Sequence, residues 1–318
     1  MPTTQKSSSA GDPANPSPAF LGVDVGGHST KLALLLPPTE PANTNPPGFF
    51  TATTAHYADP DSLQLQGHIA AALVSIDTQT LLRVRAVAFC LPGLLDEAGR
   101  RLVHATNLPR MAGLSLPDLA AELLGHAVPT TATSDAVACC LDVAATHGLT
   151  GRTFGLVLGT GVGAAVLDDG LPLRVDGDSP GHFGQLDVSL DADAPLGPDG
   201  GRGSLEAYLG APALERRLGR DLAAALPRLP HDDPAVAALA RAVRIGHALY
   251  RPHHVVLAGG IGIRLAPVLS AVEARIRDRL TNLARPGWTL RCATDDHHAA
   301  RGAARMAARG AARMAAGL

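Results

Sequence analysis

The chain has 318 residues, 46% hydrophobic and 18% charged, with a formal net charge of −2 at pH 7. That length allows two domains with substantial cores, and the composition is too apolar for a disordered protein. Aromatic residues make up only 3%, so base-stacking platforms are scarce and no strong positive field exists to gather a phosphate backbone; nucleic acid is not an expected partner.

Residues 1–18, rich in Pro, Ser and Thr, read as a disordered lead-in without an apolar signal core. FLGVDV and TKLALLL, joined only by GGHS, predict a hairpin that starts near Phe20. After the loop PPTEPANTNPPG, FFTATTAHY reads as a third strand. LQLQGHIAAALVSIDTQTLL has helical spacing, and VRAVAFC is a strand ending at a Pro-Gly turn. LPDLAAELLG predicts a helix stopped by Gly125, VPTTATSD a strand running into Asp135, and AVACCLDVAATHG a helix. TFGLVLGTGVGAAVLDDG repeats the opening theme of strand, glycine turn and strand about 130 residues later, most simply by internal duplication. Helices dominate from Ser204 to Tyr250, broken by LPRLPHDDP. HHVVLAGGIGIRLAPVLSAVEARIRDRL then reads as a buried strand, a glycine turn and a long helix. The terminal ARGAARMA occurs twice in tandem, placing Arg301, Arg305, Arg309 and Arg313 along one helix face, where a solvated basic stripe is expected.

The four cysteines, Cys90, Cys139, Cys140 and Cys292, sit in apolar or helical stretches without CxxC spacing and read as reduced core residues. No apolar run reaches the roughly 20 residues that cross a bilayer, so no membrane partner and a cytoplasmic location are expected.

Three glycine turns, VDVGGHSTK, VLGTGVGAA and VLAGGIGIR, each follow an apolar strand. Glycine lets backbone N–H groups close around an anion, and such turns commonly cradle phosphates. The first two lead into strands instead of helices, so neither the dinucleotide fingerprint nor the Walker loop fits.

In order along the chain, DVGG between two strands, an Asp-bearing turn after a strand, LGTGVG between two strands and a final AGGI resemble the sugar kinase, actin and Hsp70 ATPase superfamily. Within it the sequence is similar to the ROK family (repressor, open reading frame, kinase). The likeness runs from Phe20 to Ala307 and includes CLPGLLDEAG, ATNLPRMAGLSLPDLAAELLG, SDAVACCLDVAATHG and GSLEAYLGAPALERR. It implies an α/β fold of two actin-like (ribonuclease H-like) domains, residues 19–134 and 135–318, with ATP in the interdomain cleft and the last helix packing back on the first domain. It also implies that Asp24 faces Mg²⁺ through water. Gly26 and Gly27, with Thr30 and Lys31, would reach the β- and γ-phosphates. Gly159, Thr160, Gly161 and Gly163 would hold the phosphates from the other side, and Gly259 and Gly260 would lie under the adenosine. Polyphosphate is the alternative donor. Transfer to an alcohol needs a base beside the attacking hydroxyl; Asp135 is the candidate, and its place at the start of a helix also suits an N-cap.

Gly93, Asn107 and Glu206 match family positions near the sugar, and Ser134 stands where the family has Asn before the catalytic Asp. Where the family reads GExGH, this chain has Gly181-His182-Phe183-Gly184-Gln185, so His182 replaces the sugar-binding Glu and Gln185 the zinc-ligating His. The cysteine slots that follow hold Gly197, Asp199 and Ser204, and His28 replaces a Thr. Gln, Gly, Asp and Ser do not build a tetrahedral N/S site, so no structural zinc is expected. A neutral imidazole offers one donor and one acceptor where a carboxylate accepts from two hydroxyls. Losing such a partner costs about 1–3 kcal/mol, so the expected acceptor is a sugar or sugar-like polyol other than glucose. The reading favoured is an ATP-dependent carbohydrate kinase. The alternative, suggested by the substitutions, is a non-catalytic sugar or nucleotide binder, against which stands the retention of both Asp24 and Asp135. A repressor of this family needs a winged helix-turn-helix, for which the about 19 residues before the first strand are too few. The resemblance allows a homodimer, and no residue singles out an interface.

Overall fold

Strand alternation at the amino terminus builds the expected hairpin. β1 (Ala19–Val25) and β2 (Thr30–Leu35) pair antiparallel, with Asp24 opposite Lys31 and Val25 opposite Thr30. The structure, a computed structural model, describes residues 17–36, 48–91, 93–105, 108–175, 180–198 and 200–317. Most of the expected lead-in, the Pro- and Asn-rich loop, Asn107 and Asp199 lie outside the described residues. Ser17, read as part of the lead-in, is placed: its carbonyl accepts from the Arg83 guanidinium at 2.6 and 2.9 Å.

β3 (Phe49–Thr53) extends the hairpin. The single helix expected next is two, α1 (Ser62–Leu73) and α2 (Thr78–Leu82), because the Asp77 carboxylate takes the Thr80 N–H at 2.9 Å and starts a new helix. β4 (Val84–Cys90) runs parallel to β1, the short β5 (Leu94–Leu95) and β6 (Leu102–His104) form a side hairpin, and α3 (Leu116–Leu124) stops at left-handed Gly125. β7 (Thr130–Thr133) closes the sheet, in the order β3-β2-β1-β4-β7.

α4 (Asp135–Thr146) leads into the second half, where β8 (Arg152–Leu158), β9 (Val162–Asp168) and β10 (Leu171–Pro172) repeat the opening pattern. The helices α5 (Leu205–Leu209), α6 (Ala211–Leu218), α7 (Leu222–Ala225) and α8 (Pro234–Tyr250) follow. β11 (His254–Ala258) comes next. The expected glycine turn after it is the start of a helix, α9 (Gly259–Arg264), with the turn confined to Gly259 at φ +75°. The expected long helix is interrupted at Ala266–Val268, where Pro267 lacks the N–H a continuous helix needs, and resumes as α10 (Leu269–Arg277). β12 (Thr289–Cys292) and α11 (His298–Ala315) end the chain. The second sheet is ordered β10-β9-β8-β11-β12, the topology of the first. Each half has its own apolar core, one around Phe154, Leu156 and Leu257 and the other around Leu21, Val87 and Phe89.

α4 lies on β8 and β9, α11 lies on β1, β2 and β4, and the two helices cross each other between the halves. Small residues permit the crossing. A Cβ on Gly302 would stand 1.8 Å from the Ala138 carbonyl oxygen, and one on Gly22 would stand 2.0 Å from that of Ala300. Gly302→Ala therefore has to push α11 off α4, at an expected cost of about 1–3 kcal/mol, read as a lower midpoint of urea unfolding.

Only the outer half of the terminal repeat is a solvated stripe: Arg309 and Arg313 are exposed, and Arg301 and Arg305 are not. Arg301 is 4% exposed, and with Arg305 it reaches the fully buried Asp142 of α4 at 2.7 and 2.8 Å. The first turns of the helix are wedged between the two halves, so there the basic face meets an acid instead of water.

Candidate functional site

Every residue the sequence marked for chemistry on a strand end lies at the carboxyl end of a parallel strand, where open α/β sheets bind ligands. Asp24 is near the end of β1 in register with Cys90, Gly93 follows β4, and Asp135 follows β7. Gly159 follows β8 and Gly259 follows β11. Between the sheets is a cavity of about 550 Å³, with Asp24, Gly26, Gly27, Lys31 and Asp135 facing Gly159, Thr160, Gly161 and Gly163. A second cavity of about 730 Å³ shares Gly93, Asp135, Val162 and Gly163 with the first and continues along Ser134, Arg174 and His182. A third, about 370 Å³, shares Gly159 and Thr160 and adds Gly260, Arg220 and Arg264. The three form one trough, with Asp135 at one junction and the Gly159-Thr160 turn at the other.

Ser134, not Asp135, caps α4: its Oγ accepts the Val137 N–H at 3.2 Å. Asp135 is thereby left free of the capping bond and is the first residue of the helix, its Oδ1 accepting the N–H of Ala136 at 2.7 Å. Crowding by the surrounding protein pushes its carboxyl above the usual carboxylate range, opposed by that N–H and by Lys31. Water in the open cleft still reaches this side chain, which tempers the rise.

Asp24 faces the same cavity from β1, with Lys31 opposite it on β2. Burial pushes its carboxyl up to about 7; Lys31 opposes the rise, and the charges of Asp135 and Asp296 add to it. An acid whose folded value exceeds its unfolded value disfavours folding when ionised. The ligand-free protein is therefore expected to lose stability as pH climbs from 3.8 towards about 7, a slope that thermal melts of Asp24→Asn should flatten.

The glycines split into two kinds. Gly93 has φ +115°, and a Cβ there would stand 2.0 Å from the His104 carbonyl oxygen, so the fold itself requires it. Gly27 and Gly159 have no left-handed φ and no neighbour within 4 Å of a Cβ, so neither backbone nor packing requires glycine. A side chain at either would fill the cleft instead. These bare turns suit the close approach of phosphate oxygens to backbone N–H groups. The carboxylates of Asp24 and Asp296 on the same cavity suit Mg²⁺, which is ordinarily held by one or two carboxylates with water and phosphate oxygens.

Several expected contacts fall elsewhere. Thr30 is fully buried behind the hairpin: its Oγ1 bonds the Tyr57 hydroxyl at 2.9 Å, and that hydroxyl donates to the Gly26 carbonyl at 2.7 Å. Thr30 thus braces the turn from behind and does not line the cleft. Glu206 lines the glycine-walled cavity and not the one that continues along Ser134 and His182. Its Oε2 accepts the N–H of Val162 at 2.8 Å and holds the LGTGVG turn in place. His182 is on the wall of the second cavity, whereas Gln185 is the exposed end of a short turn, Phe183–Gln185, and lines neither the first cavity nor the second. Ser204, in a former cysteine slot, caps α5 by accepting the Ala207 N–H at 3.2 Å.

Asp295, Asp296 and His298 also line the central cavity, and the sequence reading passed over them. The signal was present in the duplication. β12 and α11 repeat β7 and α4, so an acid just after β12 is the counterpart of Asp135 after β7.

The sequence profile of the ROK family matches residues 20–310. The chain belongs to the ROK family. Among solved structures it is similar to a ROK family glucokinase from Streptomyces griseus in complex with glucose and AMPPNP, at 19% identity, 92% of this chain, 100% of that one and a TM-score of 0.67. It is also similar to a ROK hexokinase from Thermus thermophilus, at 21% identity, 92% and 99% coverage and a TM-score of 0.64. A ROK family transcriptional regulator homologous to the E. coli Mlc protein matches at 17% identity, 92% and 78% coverage and a TM-score of 0.67. At these identities the likeness shows the fold, which the family uses for both kinases and regulators. A comparison with curated proteins found no match. Among the described residues no helix is long and apolar enough to cross a membrane.

Proposed function

We propose that this ROK protein is an ATP-dependent kinase that phosphorylates a hydroxyl of a sugar or sugar-like polyol, with Asp135 as general base. The observation that carries the reading is the position of Asp135 where the acceptor cavity meets the glycine-lined one. A base has to sit within hydrogen-bond reach of the attacking hydroxyl, beside the line along which its oxygen approaches the phosphorus. We divide the protein into lobes at residues 134 and 135, with the crossing of α4 and α11 as the hinge.

Gly26, Gly27 and the Gly159–Gly163 turn hold the phosphate chain of ATP from opposite lobes, and Glu206 keeps the second turn open by binding Val162. Gly260 and its neighbours border the nucleoside end. Lys31 places positive charge beside the phosphates, and Asp24 with Asp296 holds the cation side. Bound Mg²⁺ would neutralise phosphate charge. Gly93, Ser134 and His182 border the acceptor, and Asp135 takes the proton from its hydroxyl as the oxygen attacks the terminal phosphate. With His182 in place of a carboxylate, the acceptor offers a group that pairs with one imidazole donor or acceptor, as in a sugar derivative, a cyclitol or an amino sugar. The deciding experiment is a coupled ADP-release screen of such polyols with Mg²⁺ and ATP. Turnover of at least one acceptor, absent in Asp135→Asn, is expected, and a screen with no turnover above that variant overturns the reading.

Because Asp24 holds a proton up to about pH 7, Mg²⁺ binding with a nucleotide analogue at pH 6 should release up to one proton. Calorimetry in two buffers of different ionisation enthalpy measures it, and Asp24→Asn should shrink the difference by that proton, leaving only the release from the nucleotide's own phosphate.

A further inference from the structure

α8 and α10 pack side by side, away from the interlobe trough, and border a groove of about 910 Å³. Arg241 and Arg244 stand one turn apart on α8. Arg275 on α10 and Arg279 just past its end are likewise one turn apart, so each pair shares a face. Among the described residues the acids on the walls are Asp191 and Asp278, against four guanidinium groups, an excess of two positive charges in a chain whose net charge is −2.

The arginines are not consumed by the fold. Arg275 donates to the His231 carbonyl at 2.6 Å, and Arg279 stands 3.6 Å from Asp278 at the exposed rim. Arg241 and Arg244 are half-buried, and among the described residues neither makes a hydrogen bond or an ion pair. Partial burial, and then the charges of Arg279, Arg241 and Arg275, make the protonated form of Arg244 less favourable than usual. Each guanidinium carries five N–H donors, and in this half-buried groove those of Arg241 and Arg244 are open to an incoming acceptor. A planar fork of that kind matches two oxygens of one phosphate. Four forks on two helices match several such groups, and a single phosphate would leave most of them unanswered.

We propose that this groove is a binding site for a small oligophosphate anion carrying two or more phosphoryl groups, distinct from the interlobe cleft. Its far wall is Tyr208 of α5, two residues from the Glu206 that holds the Val162 turn. Occupancy therefore bears on the same short helix that shapes the phosphate side of the trough.

The test is calorimetric titration of the full chain with tripolyphosphate, with Mg²⁺ and AMPPNP in excess so that the cleft is filled. One binding event is expected, weakened at least tenfold in R241Q/R244Q and again in R275Q, and weakened by added salt, with inorganic phosphate binding far less tightly. Only the part of the signal that the arginine variants change is attributed to the groove, so the result stands whether or not the protein is a kinase. Equal affinity in wild type and folded variants, checked by circular dichroism, overturns the proposal, as does the absence of binding. It is also overturned if sedimentation shows a dimer that the same variants dissociate while tripolyphosphate does not bind, since a second copy then covers the groove.

Discussion

Asp135→Asn is expected to lower kcat by about 10²–10⁴-fold, the range over which a positioned general base contributes, while the thermal midpoint holds or rises. The amide has nearly the same shape and keeps an oxygen able to accept the Ala136 N–H, so the start of α4 is preserved, and the cap belongs to Ser134 in any case. What is lost is the ability to take a proton. Because that loss is felt in the transition state and not in the ground state, kcat and kcat/KM should fall together, with KM for ATP and acceptor changed little. Stability should move the other way. Crowding raises the Asp135 carboxyl above its usual range, so the ionised form is disfavoured by the fold, and a neutral amide removes that burden along with one of the charges that lift Asp24. In the wild type the acid limb of the pH–rate profile should lie above 3.8 for the same reason. A variant that keeps wild-type turnover, or that loses activity only because it unfolds, contradicts the assignment.

The halves of this protein were legible because their signals are local. Hairpins, strand ends and glycine turns are set by residues a few positions apart, and the likeness of VDVGGHSTK to VLGTGVGAA announced a duplicated topology that the two sheets share. Thr30 was misplaced although the strand period could have placed it. Lys31 faces the cleft, and adjacent residues of a strand face opposite sides, so Thr30 has to point to the back, where Tyr57 waits. Glu206 is a different case. A carboxylate on the first turn of a helix is equally suited to a sugar and to a backbone N–H, and the approach of α5 to β9 is what gives one of its oxygens to Val162. The buried half of the basic stripe was unreadable for a third reason: its partner, Asp142, is 159 residues from Arg301, and periodicity reports which face a residue is on without reporting what that face meets.

That partner sets the largest expected loss of stability. Asp142 has no exposed surface, and its carboxylate takes His298 Nδ1 at 2.8 Å, Arg301 Nε at 2.7 Å and Arg305 Nε at 2.8 Å. Burial pushes its carboxyl up, but the bonds from His298, Arg305 and Arg301 outweigh this and hold it below the usual range. A depressed folded value means stability that is present above 3.8 and lost as pH falls through the folded value. Asp142→Ala strands the guanidinium groups of Arg301 and Arg305 where the two halves meet, and removing one partner of a buried ion pair costs about 3–5 kcal/mol. Denaturant unfolding near pH 7 should show that deficit, and it should shrink below pH 3.8, where the wild-type carboxylate is itself being neutralised. Asp142→Leu combined with Arg301→Leu and Arg305→Leu separates the two explanations. If the cost comes from stranded charge, the triple variant is more stable than Asp142→Ala, since apolar replacement of a buried ion cluster is often neutral or better; if the bonds themselves supply the stability, the triple variant is the worse of the two. The activity of the triple variant is informative as well. Arg301 also holds Asp295 on the cleft wall at 3.0 Å through both Nη atoms, so a triple variant that folds firmly yet phosphorylates poorly would place the function of this cluster in aligning the lobes more than in holding them together.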